Sequence, residues 1–444
     1  MNSNQNNIKK DYFWNTLGSG VYALASMVLA FAAMHITGPD DGGIFGFGFS
    51  AFGQQMFIIA YFGIRPFHIT DAGYEYSYND YRILRILTSL AAVVSACLYL
   101  VFMTAGDHYS ARKAAIVFLL SLYKIADGVA DLYESECQRA GCLWLGGKEL
   151  CFRTVISAGV LVLAMLLTKD VLKASAAAVA AQAICILWFR QYFAAHVLNS
   201  KNADTFGSSE AKAAKTGSWR SDQSKVRQLA NSTILLFLSV FVDFYIFSAS
   251  KYAIDMYLTD VDSGIFNILF MPTSVIYLAA NFIIKPYMTR LSVHFEEQDF
   301  SAFNKIFGKL KLAVLVMSAA AMLGTILLGK PVLYVLELLL GSRYSGMLTS
   351  ASLMFVLIIL GGCFYAVTNL YYYILIIMRQ QKRIFRNYLI IAVAAAVLSN
   401  LAVPKFGLMG AACVYPLYMG LITVCFAWTT GRMLHQTENS GRTD

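Results

Sequence analysis

Lys124, Asp127, Asp131 and Glu134 follow one another at three- and four-residue intervals inside a long apolar stretch, and Gln138 continues the series. On a helix turning about 100° per residue they share an arc of about 80°. A charged side chain inside a bilayer costs about 2.5–3.5 kcal/mol on insertion scales, so four of them on one face need a reason. Two fit. The stripe lines a central polar cavity, or Lys124 pairs with Asp127 or Asp131 and seals this helix into its bundle. Lys124 lies about 16 Å from the outer end of the segment by helical rise, and Asp131 and Glu134 approach the inner surface.

Asp243 is a second mid-span carboxylate, with no obvious partner nearby in sequence. It is a candidate gate or cation site, pairing with Lys124 across a cavity, or a group held by a structural hydrogen bond. With Asp127 and Asp131 it completes the residues suited to couple an ion gradient. Arg65 and Lys285 each precede a proline at the end of an apolar segment. There a cation can hold an anionic group by charge-assisted hydrogen bonds, or simply snorkel to the interface. Gln54, Gln55, Asn281 and Asn369 are mid-span amides suited to hydrogen-bonding a polar ligand or neighbouring helices. Lys251 and Asp255, one turn apart, read as an interfacial ion pair. The eight cysteines show no CxxC pair and no histidines stand at ligand spacing, so neither a zinc site nor disulfides are expected and the cysteines read as packing residues.

The elements that must position these groups are membrane helices. Of the 444 residues 58% are apolar and 14% charged, against roughly 25% charged in soluble domains. A span needs about 20 mostly apolar residues. Twelve runs qualify, near 13–35, 44–63, 83–103, 113–133, 149–168, 171–190, 231–251, 264–284, 307–328, 347–377, 385–403 and 408–430. They are continuously apolar, without the alternation of barrel strands. The expected fold is therefore an all-α polytopic membrane protein of about 12 transmembrane helices. The first run is too long for a signal-peptide core and lacks a small-residue cleavage site, so it reads as the first helix.

The net charge of +9 reports topology, not a nucleic-acid partner. Placing the N-terminus inside puts most Lys and Arg, including Arg379, Lys382, Arg383 and Arg386, in cytoplasmic loops, and the acidic loops at Asp40–Asp41 and Asp255–Asp262 outside. Both termini are then cytoplasmic. The polar stretch 199–228 reads as a cytoplasmic linker. It separates an N-terminal six-helix lobe, 1–198, from a C-terminal one, 229–444.

The two halves repeat. Asp41-Gly42-Gly43-Ile44-Phe45 matches Asp262-Ser263-Gly264-Ile265-Phe266, and Phe62-Gly63-Ile64-Arg65-Pro66 matches Phe282-Ile283-Ile284-Lys285-Pro286. Gly106-Asp107-His108-Tyr109-Ser110 matches Gly341-Ser342-Arg343-Tyr344-Ser345. Repeats of six helices share one orientation, so a pseudo-twofold axis along the membrane normal relates them. Such folds rock one lobe against the other around a central cavity.

Several of these residues carry a resemblance. The glycine-phenylalanine opening of the second segment, its Gly63-Ile64-Arg65-Pro66 end, Leu340-Gly341-Ser342-Arg343-Tyr344 and the Lys405–Ala412 stretch resemble polysaccharide flippases. More particular is Leu122-Tyr123-Lys124-Ile125-Ala126-Asp127, followed by Asp131, Gln138, Gly146-Gly147-Lys148-Glu149-Leu150 and Arg153. One departure is Cys142, where that pattern has a basic residue. These exporters of lipid-linked oligosaccharides belong to the superfamily that includes the multidrug and toxin extrusion (MATE) proteins, and the resemblance covers nearly the whole chain. It implies a MATE-like two-lobed fold in a bacterial cytoplasmic membrane. It implies flipping of undecaprenyl-diphosphate oligosaccharides from the cytoplasmic to the outer leaflet without a cofactor, with Arg65, Lys285 and Lys124 as candidates for the diphosphate, Gln54, Gln55, Asn281 and Asn369 for the sugars, and a proton or sodium gradient as the candidate driving force. Other polysaccharide-assembly membrane proteins are then partners.

Two alternatives remain. A MATE-type drug or cation antiporter of the same fold would favour an acidic, aromatic cavity. A membrane polysaccharide polymerase or glycosyltransferase would need an extramembrane catalytic loop, for which the short outer loops leave no room.

Overall fold

The computed structural model describes residues 2–71, 75–193 and 223–440, and among them the chain is entirely helical and irregular, without strands. The expected linker lies outside the described residues, apart from 223–228, which open a helix.

The first unit, residues 1–241, begins with α1 (Asn2–Thr37). A single membrane-length element follows, made of α2 (Pro39–Phe47), a π-helical turn (Gly48–Phe52) and α3 (Gly53–Tyr61). Then come the short α4 (Ile64–Thr70), α5 (Tyr78–Ala105), α6 (Ala111–Arg139), α7 (Leu143–Thr168) and α8 (Val171–Phe193). Residues 223–241 of α9 (Gln223–Tyr257) also belong to it: Val226 and Leu229 pack with Ile64, Tyr81 and Leu132, and Phe237 stacks on Phe62.

The second unit, 242–444, holds the rest of α9, α10 (Asp260–Ile284), α11 (Met288–Glu296), α12 (Phe300–Leu340), α13 (Ser352–Ile377) and α14 (Gln381–Ser440). The last is two helices joined at Gly407, whose backbone (φ 59°, ψ −144°) leaves the helical region. Only glycine adopts such a conformation without strain.

Ten helices are long and apolar enough to cross a membrane by length and composition alone. The break at Gly407 divides one of these in two. Helix α6 is as long as these but carries the charged stripe, and it covers the fourth expected span. The twelve expected spans are thus present, with the ninth extended to 41 residues. Large apolar side chains such as Phe102, Leu167, Leu327 and Val424 stand more than 60% exposed along the spans, which is the surface hydrocarbon covers.

Local chemistry explains the helix ends. Ser77 and Asp80 form a capping box at α5, as do Thr259 and Asp262 at α10. Helix α6 stops at Gly141 (φ 73°), where the amides of Gly141 and Cys142 bond back to the carbonyls of Gln138 (3.1 Å) and Cys137 (2.9 Å).

Candidate functional site

In the first unit the charged stripe of α6 does not stand open. It is the middle of a buried network drawn from α1, α4, α5, α7 and α8. Arg153 of α7 organises one half: its Nε donates to Glu149 (2.8 Å), one terminal nitrogen to Asp127 and the other to Glu134 (3.1 Å). Gln182 of α8 donates to the same Asp127 oxygen at 2.6 Å, and the Tyr22 hydroxyl to the other at 3.0 Å. Arg65 and Arg85 organise the second half by holding the two oxygens of Asp131, at 2.6 and 2.7 Å. Arg65 continues to Glu134 (3.2 Å) and Gln138 (3.3 Å), and Arg85 also donates to the Ala60 carbonyl at 2.8 Å.

Among the described residues Lys124 makes no ion pair with Asp127 or Asp131, one of the two arrangements the spacing allows. Its ammonium donates to the Tyr22 hydroxyl at 3.2 Å and lies 3.9 Å above the Phe49 ring. The arginines, whose planar forks satisfy several acceptors at once, have taken the carboxylates instead. Phe49 is placed by the π-helical turn, and Gly48 and Gly53 let that turn lie on α6: a Cβ at Gly53 would stand 3.1 Å from the Lys124 stem. Lys124, Arg65, Arg85 and Arg153 thus face Asp127, Asp131, Glu134 and Glu149, four charges of each sign. The stripe is buried and neutralised, and Arg65 keeps 26% of its side chain exposed at the network's edge.

A second cluster closes the same end of the unit. His68, fully buried, shares a 2.6 Å hydrogen bond with Glu136 and stacks on Tyr81, and Arg139 donates to Glu136 at 2.8 Å. At the opposite end Arg112 bridges Asp41 and Asp170. The Asp170 carboxyl is slightly desolvated, yet the Leu172 amide and the Arg112 guanidinium hold it below the usual carboxylate range.

In the second unit Asp243 accepts a 2.8 Å hydrogen bond from the Tyr365 hydroxyl, and the Tyr388 hydroxyl also reaches it. Tyr365 stacks on Tyr277 (5.0 Å between centroids) and packs on Phe247 (5.1 Å). Asn281 accepts from Tyr373 at 3.0 Å while donating to the Tyr277 carbonyl. Among the described residues of this unit no cation forms an ion pair with Asp243. The Lys251 ammonium, expected to pair with Asp255, is buried and lies 4.3 Å over the Phe270 ring. Desolvated on this face, it takes the aromatic quadrupole.

Other expected residues divide by environment. Gln55 donates to the Phe241 carbonyl at 3.0 Å within the first unit, Gln54 is half-buried and Asn369 is buried with an unbonded amide nitrogen. Lys285 is exposed. Tyr22, Arg85, Gln182, Tyr365 and Tyr388 were not singled out from the sequence. A signal existed for Arg85 and Gln182, polar residues within apolar runs; nothing marks particular tyrosines among 26.

Comparison with protein-family models gave no match, and neither did comparison with curated protein sequences. Solved structures do match. An inward-facing multidrug resistance MATE transporter of the MOP superfamily aligns with a TM-score of 0.63 and 12% identity, over 95% of this chain and 96% of that one. The chain has the MATE fold. A eukaryotic MATE transporter (TM-score 0.59, 11% identity, 98% and 99% of the two chains) and the MATE multidrug transporter DinF-BH (0.59, 14%, 96% and 95%) align similarly. These MATE-fold neighbours are transporters and not enzymes. The two-lobed, all-helical expectation holds, and the chain is a multi-pass membrane protein.

Proposed function

We propose that this MATE-fold chain is an alternating-access transporter that flips undecaprenyl-diphosphate-linked oligosaccharides for cell-surface polysaccharide synthesis. The observation that carries the reading is the network of the first unit. Lys124, Asp127, Asp131, Gln138, Glu149 and Arg153, the residues that resemble polysaccharide flippases most particularly, converge there on one another. The tyrosine- and asparagine-rich surroundings of Asp243 add support. Hydroxyls and amides suit sugar hydroxyls, and ring faces suit the apolar faces of sugars.

In this reading lobes 1–198 and 229–444, joined through 199–228, rock in a bacterial cytoplasmic membrane with both termini inside. The polyprenyl tail stays in lipid, where hydrocarbon is already its solvent. The head group needs polar contacts, because desolvating its charges in lipid is prohibitive. Lys285 and the exposed edge of Arg65 receive the diphosphate, and Gln54, Gln55, Asn281 and Asn369 serve the sugars. Lys124, caged by Tyr22 and Phe49, tunes the network, while Asp127 and Asp131 anchor it. Asp243 couples transport to a proton or sodium gradient.

One observation favours the antiporter reading instead: Asp243 within its tyrosines is an acidic, aromatic site of the kind organic cations prefer. Reconstitution separates the two. Proteoliposomes should flip a fluorescent lipid-diphosphate sugar, and Arg65→Gln with Lys285→Gln should abolish this. Efflux of a lipophilic organic cation without lipid flipping would replace the flippase reading with the antiporter.

A further inference from the structure

The turn between α6 and α7 sets two thiols against each other. Helix α6 ends in a Schellman motif, with the Gly141 amide bonded to the Gln138 carbonyl at 3.1 Å and the Cys142 amide to the Cys137 carbonyl at 2.9 Å. Gly141, at φ 73°, supplies the left-handed residue that this closure needs. The motif brings the side chain three positions before the cap, Ala140, against the one two positions after it. An apolar contact commonly fills that place, and here both positions are cysteine. Both pack in one cluster with Tyr133, Leu145 and Phe193, and the Cys137 thiol donates a hydrogen bond to the Cys142 sulfur.

The two sulfurs differ in surroundings. Cys137 is fully buried, whereas Cys142 is half-buried. Cys142 is also the N-cap of α7, where the helix dipole favours a thiolate. The hydrogen bond from Cys137 holds the Cys142 thiol below its ordinary range, against burial and the Asp11 and Glu136 carboxylates. One sulfur is thus reachable and inclined to ionise, and the other waits in contact behind it. Among the described residues no group of three His, Cys, Asp or Glu could hold a metal ion, so the chemistry open to this pair is that of a dithiol.

We propose that Cys137 and Cys142 are a redox dithiol that hydrogen peroxide converts reversibly into a disulfide across the α6–α7 turn. The Cys142 thiolate attacks a peroxide oxygen: an S–O bond forms, the O–O bond breaks, and the departing hydroxide becomes water with a proton from solvent. The Cys137 sulfur then attacks the sulfenic sulfur. The S–S bond forms, the S–O bond breaks, and the departing hydroxide takes the Cys137 proton to give a second water. Peroxide gains the two electrons that the dithiol loses. A low-molecular-weight thiol reverses the bond by exchange through a mixed disulfide. In the orientation proposed above the turn is cytoplasmic, where thiols are kept reduced and a disulfide is transient and redox-sensing. The pair does not depend on what the protein transports.

Peroxide treatment of the full-length protein in detergent tests this. Remaining thiols are alkylated after denaturation, and tryptic peptides are identified by mass spectrometry. Cleavage after Arg139 separates the two cysteines, so the bond shows as residues 125–139 joined to 140–148, parted by dithiothreitol. Alkylation of Cys137 and Cys142 should be lost together as that joined pair appears, while the exposed Cys97 and Cys413 keep theirs. Cys137→Ser should leave Cys142 as a sulfenic acid that dimedone traps, and Cys142→Ser should leave Cys137 unreacted. The joined pair is read in the parent protein, so the test stands even if a variant fails to fold. Loss of Cys142 alkylation without the joined pair, full alkylation of Cys142 when Cys97 and Cys413 have already reacted, or oxidation of Cys137 in Cys142→Ser would overturn the proposal.

Discussion

Arg153→Met should destabilise the first unit more than any other single change in the network. Arg153 is 2% exposed and uses three nitrogens on three carboxylates, those of Glu149, Asp127 and Glu134. Its removal leaves three cations, Lys124, Arg65 and Arg85, against four buried carboxylates. Breaking a buried ion pair by removing one partner costs about 3–5 kcal/mol, because the other charge stays desolvated and unpaired. At about 2–4 °C per kcal/mol for a unit of this size, the thermal midpoint should fall by roughly 6–20 °C. Fluorescence-detected size-exclusion chromatography of heated, detergent-solubilised protein reads that midpoint directly. Arg153→Lys keeps the charge but offers one ammonium where the guanidinium fork reached three acceptors. Its loss should be intermediate, since charge-assisted hydrogen bonds contribute about 1.5–3 kcal/mol each. Adding Glu149→Gln to Arg153→Met restores the balance of charge and should recover part of the midpoint. A midpoint within about 2 °C of the parent for Arg153→Met, or a further fall on adding Glu149→Gln, would refute the view of the network as a neutralised whole.

Asp243→Asn should fold normally, because the Tyr365 hydroxyl still finds an amide oxygen, but transport in proteoliposomes should lose its dependence on an imposed ion gradient; unchanged dependence excludes Asp243 from coupling. Glu337 accepts the Leu348 and Thr349 amides, each at 2.6 Å, so Glu337→Ala should cost about 1–3 kcal/mol for each N–H left unpaired. Limited proteolysis should then cut faster within 341–351, and an unchanged rate would count against this role. The exposed Arg112–Asp170 contact should contribute under about 1 kcal/mol and weaken with salt. Because the Asp170 carboxyl is held below its ordinary range, the contribution is present above about pH 4, the unfolded value, and is lost as pH falls through the lower folded value. A double-mutant cycle of Arg112→Ala and Asp170→Asn, repeated at neutral and acid pH, measures it; coupling that grew on acidification would reverse the assignment.

The sequence alone determined that the chain spans a membrane about twelve times and that its halves repeat. Hydrocarbon imposes length and apolarity on every span, so those features are written in runs of residues and need no tertiary information. It also marked Lys124, Asp127, Asp131 and Glu134 as belonging together, because the helical period brings neighbours on one element to one face. Which partners neutralise that face was settled only by packing. Arg153 comes from α7, Arg85 from α5, Gln182 from α8 and Tyr22 from α1, and no periodicity within one segment encodes contacts among five helices. For the same reason spacing could offer Lys124 only the carboxylates of its own helix, whereas packing sets it against a phenol and a ring, and packing sets Lys251, one turn from Asp255, over Phe270. A local ion pair is what spacing suggests. In a buried bundle, however, the nearest group is whatever the neighbouring helix presents, and the arginine forks satisfy the carboxylates with more hydrogen bonds than one ammonium can supply.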